Sequence, residues 1–574
     1  MILSLNSAGM KQALSRVRPH LVAAAVFSAG VNLLYIVPTI YMLQVYDRVV
    51  PTRGVQTLFL LTMVLLFALG TLSLLDRIRS KLLARAAAQL DLSLAARVMD
   101  ASIARPDLSQ AGTALRDLES AKGMLAGPAM LALFDAPWVP IYILVCFLLH
   151  PYIGLLAIVG GAALPAIAWM NERTVRPHSV RAEEQARASY SLQDSLLGGA
   201  ESIRALGMRR ALVLRQLRAR EAMLTEQSSV NFAGGAFFTG GKFVRLALQS
   251  LALGLGALLA VEGLISPGAI FASSFLIARA LQPIEQLIGA IRPLGAARRA
   301  MTRLDDLLGS EQDAPRLTEL PPLKGALTAE AISVRHPDRD GAVLMNVSFA
   351  VEPGQAIAII GPSGAGKSTL LRVLAGALPA DRGDVRFDGS SRADWDPERL
   401  ALEIGYVPQD SRLFPGTVAE NIARFAGDRL VDPGEIDAMV IAAAEAVGAL
   451  DLIQRLPGGF NHRLGPGGRG LSAGQAQRVA LARAFFGDPR ILLLDEPNSN
   501  LDGEGDAALT KAIAEAKERG RTVLIVSHKL GVLPVIDKIL LMRDGQAEMF
   551  GPRDEVLQRI MPPRPAPVAV EAKA

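Results

Sequence analysis

The sequence predicts a six-span α-helical transmembrane domain followed by an α/β domain built around a phosphate-binding loop. Six apolar runs, each near the length that crosses a bilayer, lie in the first half of the 574-residue chain. In the second half, short apolar strands alternate with helical patterns, which favours a mainly parallel sheet. One of these strands runs directly into a G-x4-G-K-[ST] pattern, typical of a loop that binds phosphate.

The composition excludes several other classes of protein. Hydrophobic residues make up 51% of the chain and charged residues 20%, so a disordered chain is excluded. Six histidines and one cysteine, Cys146, exclude a disulfide scaffold and a multi-cysteine metal domain.

The predicted membrane spans come in three pairs. Any one run could be a buried helix of a soluble core, but six in paired order favour membrane crossing. Residues 1–20 carry three basic side chains and lead into a run longer than a signal peptide, which predicts an uncleaved first span. The six runs are 21–45, 56–75, 131–149, 152–170, 243–262 and 265–282.

The distribution of charge predicts the orientation of these spans. Residues 1–310 have a net charge of +11 and the remainder −6, which together give the +5 of the whole chain. The positive charge is concentrated in the long loops 77–130 and 171–242, so we expect both loops and both termini in the cytoplasm. The basic half is also the apolar half, so the expected partner is membrane lipid and not nucleic acid.

The same patterns predict the domain boundaries. The loop stretches 77–104 and 178–228 are rich in helix formers and are expected to extend the spans as cytoplasmic helices. The predicted segments are a cytoplasmic N-terminal segment 1–20, a transmembrane domain 21–310, a linker 311–325, a nucleotide-binding domain 326–560 and a disordered tail 561–574.

The phosphate-binding pattern follows the predicted strand 356–360. Its glycines let backbone N–H groups converge on phosphates at a helix N-terminus. We expect Lys367 to reach the β- and γ-phosphates and Ser368 to hold Mg²⁺, so the predicted ligands are ATP and Mg²⁺. The pattern consists of Gly361, Pro362, Ser363, Gly364, Ala365, Gly366, Lys367, Ser368 and Thr369.

Two consecutive acids end the predicted strand 491–494. Unpaired buried carboxylates are costly, so Asp495 and Glu496 are hard to explain as structural residues. Beside a phosphate-binding loop they have a chemical role. Asp495 would position Mg²⁺ through water and Glu496 would polarise the attacking water.

A second anion site is predicted where Ser472, Gly474 and Gln475 open a helix. These residues resemble the signature motif of the ATP-binding cassette (ABC) ATPases, and the other motifs follow in that family's order. The resemblance implies that Gln409 couples Mg²⁺ to the membrane domain, that Asp502 belongs to the D-loop, and that His528 is the switch histidine. A lone histidine after a strand is otherwise usually a surface residue.

One position departs from the family's pattern. The family usually stacks adenine on an aromatic residue ahead of the phosphate-binding loop, and the matching residue here is His336. The resemblance implies adenine stacking on His336, and a solvated loop histidine is the alternative.

The resemblance covers nearly the whole chain, which is similar to an ABC exporter half-transporter with an α/β P-loop ATP-binding cassette domain. The family's ATP sites form between two cassettes, so a homodimer with twelve spans is implied. The short motifs at 46–51 (YDRVVP) and 496–502 (EPNSNLD) resemble the type I secretion permease/ATPases. The short N-terminal segment favours the protease/lipase-exporting branch.

This resemblance implies ATP-driven export of an unfolded protein across the bacterial inner membrane. The implied partners are a secreted protein substrate, a periplasmic adaptor (membrane fusion protein) and an outer-membrane channel. An ABC exporter of lipids or small hydrophobic molecules suits the apolar spans equally well, and a soluble ABC ATPase shares the ATP chemistry. Six predicted spans argue against the soluble protein.

Charged residues at two places remain to be explained. The predicted spans have few charges, and Asp135 and Arg279 are exceptions. The loop segments 114–125 and 201–217 are expected to couple the two domains, although their charges could merely be solvated. These charges are Arg116, Asp117, Glu119, Arg209 and Arg210.

Overall fold

The computed structural model describes residues 7–104, 108–309, 320–336, 341–428, 432–527 and 529–560. The chain divides into two compact units, residues 1–313 and 314–574. Residues 1–6, 310–319 and 561–574, which include much of the predicted linker and the whole predicted tail, lie outside the described residues.

The first unit is helical throughout its described length. A short π-helical turn, Val45–Val49, joins α2 to α3, and a 3-10 turn, Ala136–Trp138, joins α6 to α7. The helices are α1 Ala8–Leu34, α2 Val37–Gln44, α3 Val50–Thr52, α4 Val55–Ala104, α5 Leu108–Ala126, α6 Pro128–Asp135, α7 Val139–Leu149, α8 Pro151–Gly198, α9 Ala200–Ala205, α10 Arg209–Val261 and α11 Pro267–Gly309.

Five helical segments of the described chain are long and apolar enough to cross a membrane, and they contain the first five predicted spans. They are Ala8–Thr52, Val55–Ala104, Pro128–Leu149, Pro151–Gly198 and Arg209–Val261. The chain is therefore a multi-pass membrane protein.

The sixth predicted span, 265–282, falls in the first part of α11 and is not among these five segments. Arg279 and Gln282 lower the hydropathy of this stretch. Residues of α11 are buried along the helix from Gly268 to Leu308, so it needs less lipid-facing apolar surface than the other helices.

Helix α11 also contributes to both apolar cores of this unit. One cluster joins α1, α4 and α5 to the C-terminal end of α11 around Leu304 and Leu308. The other joins α7, α8 and α10 to its N-terminal half around Leu276 and Ile277. The last helix therefore holds the two groups of spans together.

The long loops are helical, as predicted, with differences at their ends. The 50-residue α4 reaches about 75 Å, far more than the ~30 Å hydrocarbon core. The predicted helix 178–228 is interrupted between α8 and α10, where α9 and a turn at Gly207 (φ +67°) intervene. At the other end of the chain, α1 begins at Ala8, before the first apolar run, because Ser7 caps it by accepting from the N–H of Met10.

One of the loop charges is not solvated. Asp117 is 8% exposed and accepts hydrogen bonds from Nε and Nη2 of Arg303 on α11, the first at 2.7 Å and the second at 2.5 Å. Such a bidentate pair fixes α5 against α11. Asp117 therefore holds its own unit together, whatever else the segment 114–125 does.

The second unit contains two main sheets. The strands are β1 Leu327–Arg335, β2 Ala342–Val351, β3 Ala356–Ile360, β4 Arg382–Phe387, β5 Ser390–Ser391, β6 Ile404–Val407, β7 Gly416–Thr417, β8 Arg463–Leu464, β9 Ile491–Asp495, β10 Thr522–Val526, β11 Lys538–Arg543 and β12 Gln546–Pro552. The helices are α12 Lys367–Ala375, α13 Pro397–Glu403, α14 Val418–Ile422, α15 Pro433–Ala446, α16 Leu450–Gln454, α17 Ala473–Phe485, α18 Gly503–Glu518 and α19 Arg553–Ile560.

The four predicted strands are neighbours in one six-stranded sheet of order β12-β11-β3-β10-β9-β6, parallel except for β12. Both faces of this sheet are covered. Ala356 and Ala358 of β3 pack into one apolar cluster, and Ile357 and Ile359 into the other. Continuous apolar strands are what a parallel sheet buried on both faces requires.

The second sheet was not predicted from the sequence. Strands β2-β1-β4-β5 pair antiparallel beside the parallel sheet, and β7 pairs with β8 separately. The C-terminal part of the predicted linker belongs to this region, because Leu323 is 2% exposed in the same apolar cluster as β1 and β2.

Candidate nucleotide-binding and hydrolysis site

The predicted site residues follow four neighbouring strands of the parallel sheet. Gly361 follows β3, Asp495 ends β9, and Gln409 lies two residues beyond β6. His528 follows β10 but lies outside the described residues. Because parallel strands present their carboxyl ends at one edge, the fold gathers these segments along one crevice, where ligands of such sheets bind.

The phosphate-binding loop requires glycine at two close approaches. Gly361 has φ +147°, and a Cβ there would lie 2.1 Å from the carbonyl oxygen of Met542. Gly366 has φ +90°, and a Cβ there would lie 2.7 Å from Cδ2 of Leu344. The loop therefore passes close to β11 and β2 before α12 begins at Lys367, which leaves the first N–H groups of that helix at the loop.

The other residues of the phosphate-binding loop differ in their exposure to solvent. Pro362, Ser363 and Gly364 are exposed and Thr369 is half-buried. Ala365 is 2% exposed and belongs to the apolar cluster that contains β3. The exposed part is the part that a phosphate chain could reach.

The ammonium group of Lys367 closes the loop. The residue is 6% exposed, and its Nζ donates to the carbonyl oxygens of Gly361 and Pro362, each at 2.9 Å. An ammonium has three donors, so two are engaged by the loop itself. Lys367 therefore holds the loop in shape and keeps a positive charge where phosphates would lie.

Ser368 and Asp495 form the centre of the site. The Ser368 hydroxyl donates to Oδ1 of Asp495 at 3.1 Å, and Asp495 is 1% exposed at the end of β9. Burial raises the pKa of Asp495, and the hydrogen bond from Ser368 opposes that rise. Burial and the charge of Asp495 also raise the pKa of Tyr406 to about 12, so this phenol stays protonated.

The donor set at this centre fits Mg²⁺. Hydroxyl, carboxylate and amide oxygens are the ligands that Mg²⁺ prefers, usually one or two carboxylates together with substrate phosphates. No group of three His, Cys, Asp or Glu side chains in the described chain could hold a metal by itself. Burial disfavours the charged form of Asp495, and a bound cation would stabilise that form.

Glu496 has a strained backbone. Its φ is +48°, unusual for a residue with a side chain, and its N–H donates to the carbonyl of Val526 at 2.9 Å. This bond ties the turn after β9 to Val526 at the end of β10. Strain of this kind is found where a side chain must be held at one place.

The turn after Glu496 is fixed by residues that sequence reasoning missed. The buried Gln477 of α17 donates to the carbonyl of Pro497 at 3.0 Å. Lys529 donates to the carbonyl of Asn498 at 3.0 Å and to Asp506 at 2.7 Å. No local pattern marks these contacts, since the partners are 20 to 31 positions apart.

The predicted second anion site has the expected local form. Ser472 caps α17 in a capping box: its hydroxyl accepts from the N–H of Gln475 at 3.3 Å, and the Gln475 side chain accepts from the N–H of Ser472 at 2.9 Å. Gly474 lies against the chain that follows Glu496, since a Cβ would be 2.9 Å from the carbonyl oxygen of Asn500. Ser472 itself is exposed.

Asp502 is engaged within the same unit. It caps α18 by accepting from the N–H of Gly505 at 2.8 Å, and it accepts from Arg478 of α17 at 2.6 Å. These bonds, the backbone one first, lower the pKa of Asp502. Asp502 therefore links α17 directly to the start of α18.

Gln409 and His336 lie at the margins of the candidate site. Gln409 is exposed, and the strand before it pairs Val407 with Leu494 beside Asp495. His336 is half-buried at the end of β1, and its N–H donates to the carbonyl of Gly341 at 3.0 Å. Its neighbour Leu344 on β2 reaches Gly366, so this hairpin borders the phosphate-binding loop.

Comparison with known families identifies both units. Residues 344–499 match the family model described as ABC transporter, and residues 21–283 match the ABC transporter transmembrane region. The solved structure of a bacterial Atm1-family ABC exporter with ATP bound has the same fold, with a TM-score of 0.82 and 22% identity over 95% of this chain and 96% of that one.

Curated relatives match along nearly the whole chain. The type I secretion system ATP-binding protein PrsD of Rhizobium meliloti (strain 1021) is 40% identical over 556 residues, 96% of this chain and 94% of that protein. The toxin RTX-I translocation ATP-binding protein of Actinobacillus pleuropneumoniae is 27% identical over 95% of this chain and 77% of that protein. The chain therefore belongs to the ABC transporters that fuse a transmembrane region to a nucleotide-binding ATPase domain, in the family of the type I secretion ATP-binding proteins.

Proposed function

We propose that this protein is the ATP-hydrolysing membrane component of a type I secretion system, which exports an unfolded protein across the bacterial inner membrane. One observation carries the proposal: the 40% identity with a type I secretion ATP-binding protein extends over both units. The hydrogen bond between Ser368 and Asp495 agrees with it.

The chain's own residues supply the binding and proton chemistry of ATP hydrolysis. The N–H groups of the loop and the Lys367 ammonium bind and orient the phosphates of the substrate ATP. Ser368, Asp495 and Gln409 would hold Mg²⁺, which neutralises charge on the phosphates when bound. Glu496 accepts the proton of the attacking water, and His528 stabilises the charge that develops on the γ-phosphate.

The assembly is part of the same proposal. Two copies would pair so that the phosphate-binding loop of one chain faces Ser472, Gly474 and Gln475 of the other, because each chain has one of each. The exposure of Ser472 at the start of α17 supports this arrangement. His336 would stack on adenine, and Asp502 would lie near the shared boundary.

The proposed orientation places the ATPase unit, both termini and the loops 77–130 and 171–242 in the cytoplasm. A periplasmic adaptor and an outer-membrane channel would continue the route, as the names of the secretion-system relatives suggest. The protease/lipase-exporting branch stays a prediction from the sequence.

Glu496→Gln tests the ATP chemistry in the purified full-length protein in proteoliposomes. The variant keeps the shape of the side chain but cannot accept a proton. We expect ATP binding within about twofold of wild type and hydrolysis reduced at least about 100-fold, a loss of the size seen when one catalytic group is removed. Wild-type turnover by the variant would remove Glu496 from its role.

Export is tested by complementation. The chain is expressed in a Rhizobium meliloti strain that lacks PrsD, and the proteins released into the medium are compared with those of the parent strain. Restored release by wild type but not by Glu496→Gln supports protein export. Membrane-inserted protein with no restored release, whose ATPase activity in proteoliposomes rises with added lipid and not with unfolded polypeptide, would favour the lipid-exporter alternative.

A further inference from the structure

Two of the charged residues inside the predicted spans, Asp135 and Arg279, have different surroundings. Asp135 accepts hydrogen bonds from Arg79 at 2.6 Å and from Asn32 at 2.7 Å. Arg79 also donates to Asp76 at 2.7 Å and to Ser28 at 3.0 Å. The charge of Asp135 is therefore neutralised within the membrane unit, as an ionisable group inside a bilayer requires.

Arg279 forms no salt bridge of its own among the described residues. Its guanidinium carbon lies 3.1 Å from the ring centroid of Tyr35, and its Nη1 donates to the amide oxygen of Gln282 at 2.7 Å. Its Nε is buried without a hydrogen-bond partner. Among the residues that the structure describes, no carboxylate is placed to form an ion pair with Arg279.

Arg279 lines a cavity of about 520 Å³ inside the membrane unit, within the usual size range of ligand sites. Helices α4, α5, α6, α10 and α11 contribute to its wall, together with Tyr35 at the end of α1. Gln282, Gln286, Asp76, Arg79 and Asp135 give it a polar lining.

We propose that this cavity binds a carboxylate of an extended polypeptide, with Arg279 as the residue that contacts it. A guanidinium has a planar set of donors that matches a carboxylate in two parallel hydrogen bonds. A carboxylate would pair directly with the guanidinium and give Nε the hydrogen-bond partner that it lacks. The proposal rests on the proposed protein export and adds the chemical class that the membrane unit recognises.

The walls of the cavity favour a polypeptide over a lipid. Gly123 lines it and has open space where a side chain would lie, so the backbone of an extended chain can approach closely there. An acyl chain in the same space would lie against Asp76 and Arg79. Its apolar groups form no hydrogen bonds that would compensate for removing water from these charges. An anionic lipid is therefore an outcome that contradicts the proposal.

The test compares two probe peptides on purified full-length protein in phosphatidylcholine nanodiscs. One is a rhodamine-labelled, C-terminally amidated hexapeptide of Ala, Gly and Ser with a central Asp, and the other has Asn in place of Asp. We expect wild type to bind the Asp peptide about tenfold more tightly, since a charge-assisted hydrogen bond has about that effect. Fluorescence anisotropy measures both affinities.

Three variants locate the effect. Arg279→Gln should lose the preference for Asp, and Arg279→Lys, which keeps the charge but not the planar donors, should keep part of it. The matched control is Arg173→Gln on α8, an exposed arginine over the ring of Trp169 at 5.5 Å, which is outside the cavity and should keep the full preference.

The proposal is overturned if wild type binds both peptides equally, if Arg279→Lys and Arg279→Gln both keep the full preference, or if Arg173→Gln loses it too. Displacement of the Asp peptide by phosphatidylglycerol but not by unlabelled Asp peptide also overturns it. ATP hydrolysis and export by wild type are measured separately. Loss of the peptide preference with normal hydrolysis and export overturns only the carboxylate site. Absence of hydrolysis or export overturns the proposed function.

Discussion

The carboxylate of Asp47 accepts a hydrogen bond from the backbone N–H of Gly268 at 2.6 Å. It also accepts from the hydroxyl of Ser266 at 2.5 Å, so Asp47 caps the start of α11 from a different helix. Tyr46 stacks on Phe271 beside it, with ring centroids 4.3 Å apart. The YDRVVP motif therefore fastens the first span to the last helix, a contact between residues some 220 positions apart.

We expect Asp47→Ala to destabilise the protein by about 1 kcal/mol, because it removes a helix cap and leaves the N–H of Gly268 unpaired. Gly268→Ala should also destabilise, since its Cβ would lie 2.7 Å from the carbonyl oxygen of Leu43. Thermal unfolding of the detergent-solubilised protein measures both. Arg48→Ala, an exposed neighbour, is the control, and an equal loss in the control would contradict the cap.

Asp495→Asn should stabilise the nucleotide-free protein while abolishing ATP hydrolysis. Burial raises the pKa of Asp495 in the folded protein, so its charged form costs stability at neutral pH. Asparagine can still accept from Ser368, so we expect a rise in the melting temperature of a few degrees, about 2–4 °C per kcal/mol. With ATP and Mg²⁺ the order should reverse, because only wild type gains the full ligand stabilisation.

The pH dependence of this stabilisation follows from the raised pKa of Asp495. A carboxyl with a raised pKa costs stability fully above its folded pKa, and the cost disappears as the pH falls towards 3.8, the ordinary pKa of an aspartate side chain. The advantage of Asp495→Asn should therefore shrink as the pH is lowered. Asp488→Asn is the opposite control: a hydrogen bond from Arg521 lowers the pKa of Asp488, so this variant should lose up to about 1 kcal/mol at neutral pH.

Lys367→Met should weaken ATP binding about tenfold or more, because it removes the ammonium and frees the carbonyls of Gly361 and Pro362 from their donor. Titration with a fluorescent ATP analogue measures the affinity. Lys511→Met removes an exposed lysine of the same unit and should bind the analogue like wild type. Unchanged affinity in Lys367→Met would exclude a role for this lysine in phosphate binding.

The orientation is testable with single cysteines, because Cys146 is fully buried and can be replaced by alanine. In that background, Leu206→Cys lies in the turn between α9 and α10 and should react with a membrane-impermeant maleimide only in inverted vesicles. Leu264→Cys lies in the short connection between α10 and α11 and should react only in spheroplasts. Both leucines are exposed, at 72% and 56%. The reverse pattern would invert the predicted topology.

The order of the domains, five of the six span positions, the four central strands and the phosphate-binding loop could be predicted from the sequence alone. These features depend on short, local patterns: apolar runs of bilayer length, buried strands, and glycines such as Gly361 that only a close approach explains. The antiparallel sheet was not predicted because polar residues interrupt the apolar residues of its strands, as in β1.

The pairing of charges depends on the folded structure. Asp135 and Arg279 both lie within apolar runs, yet Arg79 pairs with Asp135 across 56 positions while Arg279 has no salt bridge of its own among the described residues. The cap of α11 by Asp47 and the fixing of the Glu496 turn by Gln477 are likewise contacts between distant segments. Such partners are selected by helix packing and strand order, which hold the chain in place and which no short stretch of sequence contains.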